Sequence, residues 1–152
     1  MPLIVKVAET KEEIRGLREL RALVFVCEQG VPKDLEIDEF DVDAIHIVGC
    51  SDTQVIATGR LVLDTAVTGR IGRMAVLAAY RRSGIGTLIL RALEKQAVSR
   101  GLKTIILNAQ FQVVDFYVSN GYVQTGSPFI EAGIKHIQMT KQLSLFAGTG
   151  SE

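Results

Sequence analysis

Between residues 44 and 76 three apolar, β-branched runs follow one another: "AIHIVGC", "QVIATGRLVL" and "RIGRMAV". Only turn-forming stretches at 51–53 and 65–69 part them. Links this short make neighbouring strands run antiparallel, because a parallel crossover needs about a dozen residues or more. An antiparallel meander is therefore the part of the chain with the fewest alternatives, and everything else must pack on it.

Around the meander the periodicity changes. Residues 2–8 are apolar and β-branched and read as a first strand. Thr10 opens "TKEE", with Glu13 placed to complete a capping box. Ile14, Leu17, Leu20, Arg21 and Val24 then recur at helical spacing, which predicts a helix to about Phe25, broken by Gly30 and Pro32. Residues 84–100 read as an amphipathic helix, with Ile85, Leu88, Ile89, Ala92, Leu93 and Gln96 on one face and Gly101 in the C-cap position. "KTIILNA" is apolar nearly throughout, as a buried central strand would be. "QVVDFYVSNGY" reads as a short helix closed by Asn120-Gly121, and strands near 122–125 and 136–141 follow. The order β-α-β-β-β-α-β-α-β-β predicts a mixed α/β (α+β) fold with a central, mostly antiparallel sheet of six to seven strands flanked by helices. One domain over residues 1–146 and a small, polar, frayed tail over 147–152 are expected.

Acids and bases balance at 17 each, so no global positive charge argues for nucleic acid or an anionic membrane as partner. No apolar run is long enough to span a bilayer, and residues 1–8 lack the cationic and apolar regions of a signal peptide. Cys27 and Cys50 have neither zinc nor redox spacing; two reduced, mostly buried thiols in a cytoplasmic protein are expected, with no metal.

The stretch that carries chemistry is "YRRSGIG", at the start of the second helix. The first turn of a helix has free N–H groups and the positive end of the dipole. Gly84 and Gly86 let a ligand approach, and Arg81 and Arg82 add fixed charge. Together these suit a diphosphate, although a tight strand-to-helix turn alone would also use two glycines. A P-loop would need Lys-Ser/Thr after Gly86, where Thr87-Leu88 stands. A dinucleotide fingerprint would need a small residue at Ile89 and an acid within residues 103–110, and has neither.

What fits is Arg/Gln-x-x-Gly-x-Gly/Ala, here Arg81-Arg82-Ser83-Gly84-Ile85-Gly86, after the strand "RMAV". This resembles motif A of the Gcn5-related N-acetyltransferase (GNAT) family, and "LNAQFQVVDFYVSNGY" resembles that family's fifth strand, next helix and "FYxxxGY/F" segment. More narrowly, "VFVCEQGVP", "EIDEFD" and "FIEAGIKHIQM" are similar to a small bacterial branch of mostly unassigned substrate. The resemblance implies acetyl-coenzyme A as cosubstrate, held at Arg81, Arg82, Ser83, Gly84, Ile85, Gly86 and Thr87. It implies that the strand Arg73–Val76, with Met74, Ala75 and Val76 toward the donor, splays from its neighbour, with a backbone N–H there binding the oxyanion. Asn108 then falls near the pantetheine, or caps an Asx turn. Tyr117 matches the general acid toward the coenzyme A sulfur, or is a core aromatic beside Phe116.

The acceptor side is less defined. Candidate bases are Glu28, His136, Glu131 and His46. Arg60, alone in an apolar strand, could bind an acceptor carboxylate or pair with an acid. Cys27 has no adjacent histidine to support an acyl-cysteine route, so direct transfer is expected. Residues 33–43 hold six acids against Lys33; they form a solvated loop or, folded over the pocket, favour a cationic amine. The sequence thus predicts an N-acetyltransferase for the primary amine of a small molecule, compatible with a homodimer. A non-catalytic acyl-coenzyme A-binding or sensor domain of the same fold is the alternative.

Overall fold

A computed structural model describes residues 2–143, so residues 144–152, which include the tail expected to fray at 147–152, lie outside the described residues. The chain begins with β1 (Leu3–Val7) and α1 (Lys11–Arg21). The capping box forms: Glu13 N–H donates to Thr10 Oγ1 at 3.1 Å and Thr10 N–H to Glu13 Oε1 at 3.0 Å. The helix does not stop near Phe25. It widens into π-helical turns over Ala22–Glu28, where the Gln29 N–H reaches back to the Val24 carbonyl at 3.1 Å. A single turn, α2 (Lys33–Glu36), follows where a loop was expected. The meander is β2 (Ile45–Ser51), β3 (Gln54–Leu63) and β4 (Thr68–Val76). Then come α3 (Ile85–Ser99), β5 (Thr104–Gln110), α4 (Val114–Ser119), β6 (Val123–Glu131) and β7 (Ile134–Gln142). Gly101 takes a positive φ of 78° behind α3, as its place in the sequence predicted.

The strands form one sheet in the order β1-β2-β3-β4-β5-β7-β6. Among the described residues only β4 and β5 run parallel, joined by the α3 crossover; every other pairing is antiparallel. The final hairpin is longer than the sequence suggested because β6 runs on through the polar "GSP" stretch.

Strand alternation sorts the side chains onto two faces. Leu61, Ile71, Ile105, Leu107, Ala109, Ile137 and Met139 share a core with Ile89 and Leu93 of α3. Each fully buried residue of this kind contributes about 1.5–3 kcal/mol over its exposed state. On the opposite face Leu17, Leu20 and Val24 pack on Val48, Val55 and Ala75. That second cluster is smaller. The alternating partners of the core residues, including Val62, Gly72, Ile106, Asn108, Gln110 and His136, line an open cavity instead.

Candidate active site

The cavity, of about 600 Å³, exists because β4 and β5 part company. Their parallel pairing ends at Ile71 and Leu107, yet β4 runs on to Val76 and β5 to Gln110. A bulge drives the separation. Between the pairs Arg60–Gly72 and Thr58–Ala75, β4 has two residues, Arg73 and Met74, against Gly59 alone on β3. Arg73 takes a φ of 52°, in the left-handed region. The expected splay of the Met74–Ala75–Val76 strand is therefore present. Met74 lines the cavity, while Ala75 is buried in the core under α1.

At the start of α3, Gly84 is the N-cap with φ 84°, a conformation that L side chains rarely adopt, and open space lies where its Cβ would be. Its carbonyl accepts the Leu88 N–H at 3.3 Å, and no side chain caps the helix. The N–H groups of Ile85, Gly86 and Thr87 thus sit at an uncapped positive helix end, suited to an anion. The Ile85 side chain is buried, so it offers only its backbone. Behind Gly86, a Cβ would meet the Phe116 ring at 3.4 Å, which fits helix α4 closely under the loop.

The two arginines differ. Arg82 is exposed, at φ 63°, and makes no hydrogen bond or ion pair among the described residues. Arg81 turns back: its Nε donates to the Val76 carbonyl at 2.8 Å and its Nη2 to Glu28 Oε1 at 2.7 Å. Ser83 likewise donates its hydroxyl to the Tyr80 carbonyl at 2.5 Å. Glu28 is therefore committed to Arg81, and it does not line the cavity.

Tyr117, Asn108, His136 and Glu131 do line it. Tyr117 is buried, edge-on to Phe116 and Tyr122 at 5.0 and 5.8 Å. Its hydroxyl has no hydrogen-bond partner among the described residues, and burial pushes it up to about 12, so it stays protonated. His136 stacks on Phe129 at 5.7 Å, with Nδ1 at 2.7 Å from the Ile134 carbonyl. A carbonyl can only accept, so Nδ1 carries the proton. In the neutral ring Nε2 keeps its lone pair. Gln110, across the ladder from His136, donates to Gln29 at 2.8 Å and so ties the end of the π-helical segment to β5. Gln29 and Gln110 escaped the sequence reading. Gln110 was recoverable, because Ile106, Asn108 and Gln110 share one face of β5.

His46 and Arg60 belong to a network of ion pairs; Arg60 also lines the cavity, and His46 does not. Arg21 Nε donates to Glu36 at 2.6 Å, and its Nη1 and Nη2 donate to Asp41 at 2.6 and 3.0 Å. Arg60 Nη1 reaches Asp38 at 2.7 Å and Asp41 at 3.1 Å. Arg73 holds Asp38 at 3.1 Å. Burial works against the Asp41 carboxylate, but Arg21, the Asp38 N–H and Arg60 outweigh it and hold it well below the usual carboxylate range. His46 rests its Nε2 on the Asp41 carbonyl at 3.0 Å; burial lowers it, so it stays neutral. Three of the six acids at 33–43 are thus internal counter-ions, and Arg60 is occupied by two of them. The segment faces the cavity with Leu35, Glu36, Asp38 and Phe40. Cys27, expected to be buried, is exposed on the π-helical segment, and Cys50 is half-buried; neither is bonded.

Among the described residues no group of histidine, cysteine and carboxylate side chains is set to hold a metal, and no helix is long and apolar enough to cross a membrane. A profile described as "Acetyltransferase (GNAT) domain" matches residues 9–143. The chain is 39% identical over 136 residues to the uncharacterized N-acetyltransferase YjcF of Bacillus subtilis, covering 89% of this chain and 96% of that one. A crystal structure of an N-acetyltransferase from Lactobacillus plantarum superposes with a TM-score of 0.87 at 30% identity, over 93% of this chain and 99% of that one. An acetyltransferase from Elizabethkingia anophelis, solved with acetyl-CoA bound, has the same fold at TM-score 0.75 and 18% identity, over 93% and 98% of the two chains.

Proposed function

The chain belongs to the acetyltransferase (GNAT) domain family, and from that premise we propose that it carries an acetyl group from acetyl-coenzyme A directly to the primary amine of a small-molecule acceptor. The observation that supports this most is the opening between β4 and β5. A buried phenol and an imidazole line the cavity it makes, and the uncapped, glycine-edged helix end, which does not itself line the cavity, approaches it through Gly86, packed on Phe116 next to Tyr117. The donor diphosphate takes the N–H groups of Ile85, Gly86 and Thr87, with Arg82 alongside. The pantetheine follows the opening past Met74 and Asn108.

The amine nitrogen attacks the thioester carbonyl carbon, and the carbonyl electron pair moves to oxygen. A backbone N–H turned out at the β4 bulge receives that oxyanion. His136 Nε2 takes the proton that the nitrogen sheds, directly or through water. Collapse breaks the C–S bond and releases the coenzyme A thiolate. Tyr117 donates a hydrogen bond to the leaving sulfur. A phenol at about 12 gives its proton to a thiolate, whose reference value is about 8.5, only uphill, so hydrogen bonding and not full transfer is its share.

The test is thiol release from acetyl-coenzyme A across a panel of primary amines, run beside donor calorimetry on Gly84→Val. Thiol should appear with at least one amine. Gly84→Val should bind the donor at least about tenfold more weakly, since a branched residue is strained at this φ and its side chain stands in the anion's path. Donor binding without thiol release from any amine would mean a coenzyme A-binding sensor. Unchanged donor affinity in a folded Gly84→Val would move the diphosphate elsewhere.

A further inference from the structure

Arg73 is the residue where the two halves of the site meet, and nothing in the proposed chemistry uses its side chain. Its backbone is the bulged, left-handed residue of β4 at the mouth of the splay. Such a backbone is strained for a non-glycine residue and persists only where its surroundings enforce it. Its guanidinium supplies the enforcement. Nε donates to the Glu36 carbonyl at 3.0 Å; Nη2 donates to the Leu35 carbonyl at 3.2 Å and to Asp38 at 3.1 Å. Leu35 and Glu36 lie at the end of α2, whose single turn buries only the Glu36 side chain and has no side-chain cap. Four residues cannot hold a helical turn by themselves in water. This one is held by arginines arriving from α1 and β4.

Resting on the acyl-transfer reading above, we propose that Arg73 is a positioning residue that sets the acceptor wall, residues 33–41, against the oxyanion strand. The fork of Arg73 fixes Leu35 and Asp38 at the cavity edge while its own backbone fixes the bulge that presents the oxyanion donor. A shift of the wall therefore moves the acceptor and the oxyanion donor relative to each other. Among the described residues the donor loop makes no hydrogen bond or ion pair to Arg73 or to residues 33–41; its one side-chain link to β4 is Arg81 Nε on the Val76 carbonyl, past the bulge. The predicted signature is a split: acceptor KM and kcat change together, and donor affinity does not.

Two variants isolate the side chain. Arg73→Asn keeps a residue that tolerates positive φ but has no fork; Arg73→Lys keeps charge but offers one ammonium for three acceptors. With the best amine of the panel, both should raise acceptor KM by about tenfold or more and lower kcat, with the acetyl-coenzyme A dissociation constant within about twofold of wild type. Arg73→Lys should recover most of the thermal stability lost in Arg73→Asn without recovering KM. Hydrogen exchange without substrate gives a second readout: amides of residues 33–41 should exchange faster in both variants, and those of α3 should not. Unaltered exchange at 33–41, or wild-type KM in Arg73→Asn, would overturn the proposal. If wild-type protein releases no thiol with any amine, the transfer reading fails; the exchange result alone then decides whether Arg73 holds this wall.

Discussion

At the start of α3 almost nothing touches the ligand-facing atoms. Gly84 has open space around it, three N–H groups are uncapped, and Arg82 has no partner among the described residues. At residues 33–41 the reverse holds. Glu36 and Asp41 are buried under Arg21, and Asp38 is shared by Arg60 and Arg73. The first region leaves donors free to greet an anion and is assembled from consecutive residues. The second uses up its charges on itself, and the residue pairs it depends on lie 15 to 38 positions apart. What the contrast teaches is that charges which look equally functional in a sequence divide in the fold: Arg82 has no partner among the described residues, while Arg81, Glu36, Asp38 and Asp41 are spent on internal ones.

The largest effect should come from breaking the closed region. Arg21→Met keeps the volume of the α1 face but leaves Glu36 and Asp41 as buried carboxylates without their main partner. Removing one side of a buried ion pair costs about 3–5 kcal/mol. For a domain of this size that lowers the melting temperature by about 10 °C. Donor affinity measured at low temperature should not change. A loss under about 1 kcal/mol would mean that the three arginines are interchangeable and that the region is less closed than its hydrogen bonds imply.

Acid reaches the same network. Because Asp41 is held below its unfolded value, its contribution to stability is complete above about pH 4 and is lost as pH falls through the depressed folded value. Denaturant midpoints should therefore decline steadily below about pH 4. Asp41→Asn should be less stable at neutral pH and show a shallower decline. Parallel curves for the two proteins would assign the acid sensitivity to other carboxylates.

Tyr117 lies between the two regions and sharpens the comparison, since it belongs to neither. Tyr117→Phe removes one hydroxyl and leaves both the loop and the ion network intact. Losing a hydrogen bond to a charged sulfur should lower kcat by about 10- to 100-fold, with the donor dissociation constant within about twofold. If kcat is unaffected, the leaving thiolate is stabilised by water or another group, and the phenol is a core aromatic.

The free region was also the legible one. The capping box at Thr10, the meander, Gly84 as helix start and Gly101 as helix end all follow from residues within a few positions of each other. Tyr117 and Asn108 were found because resemblance reached where spacing did not. Glu28 shows the limit. Its place near the first helix end was correct, but its commitment to Arg81 depends on a partner 53 residues away that no local pattern announces. Arg60 was legible as an anomaly in an apolar strand, and pairing with an acid was one of two outcomes left open. Arg73 entered only as the first residue of the splayed strand; its side-chain role and its conformation gave no signal, since a positive φ on an arginine inside a strand arises from the bulge register between β3 and β4. The continuation of α1 through Ala22–Glu28 was missed for a related reason: π-helical turns shift the apolar spacing away from the α-helical period that exposes them.

The smallest expected effect tests the acids the network leaves out. Asp34, Glu39 and Asp43 are exposed, form no ion pair among the described residues and do not line the cavity. If the segment drew substrates by its formal charge, reversing any two of its acids would matter alike. If charge matters only through its buried pairs, Glu39→Lys with Asp43→Lys should leave stability within about 0.5 kcal/mol, as isolated surface changes do. Acceptor KM should then move by less than about twofold, and the change should vanish near 0.1 M salt, where screening acts over about 10 Å. A KM for a cationic amine that rises several-fold in this double variant, and recovers on adding salt, would show that the wall acts as a field after all. The paired acids would then have to be counted with the exposed ones in any account of what the cavity selects.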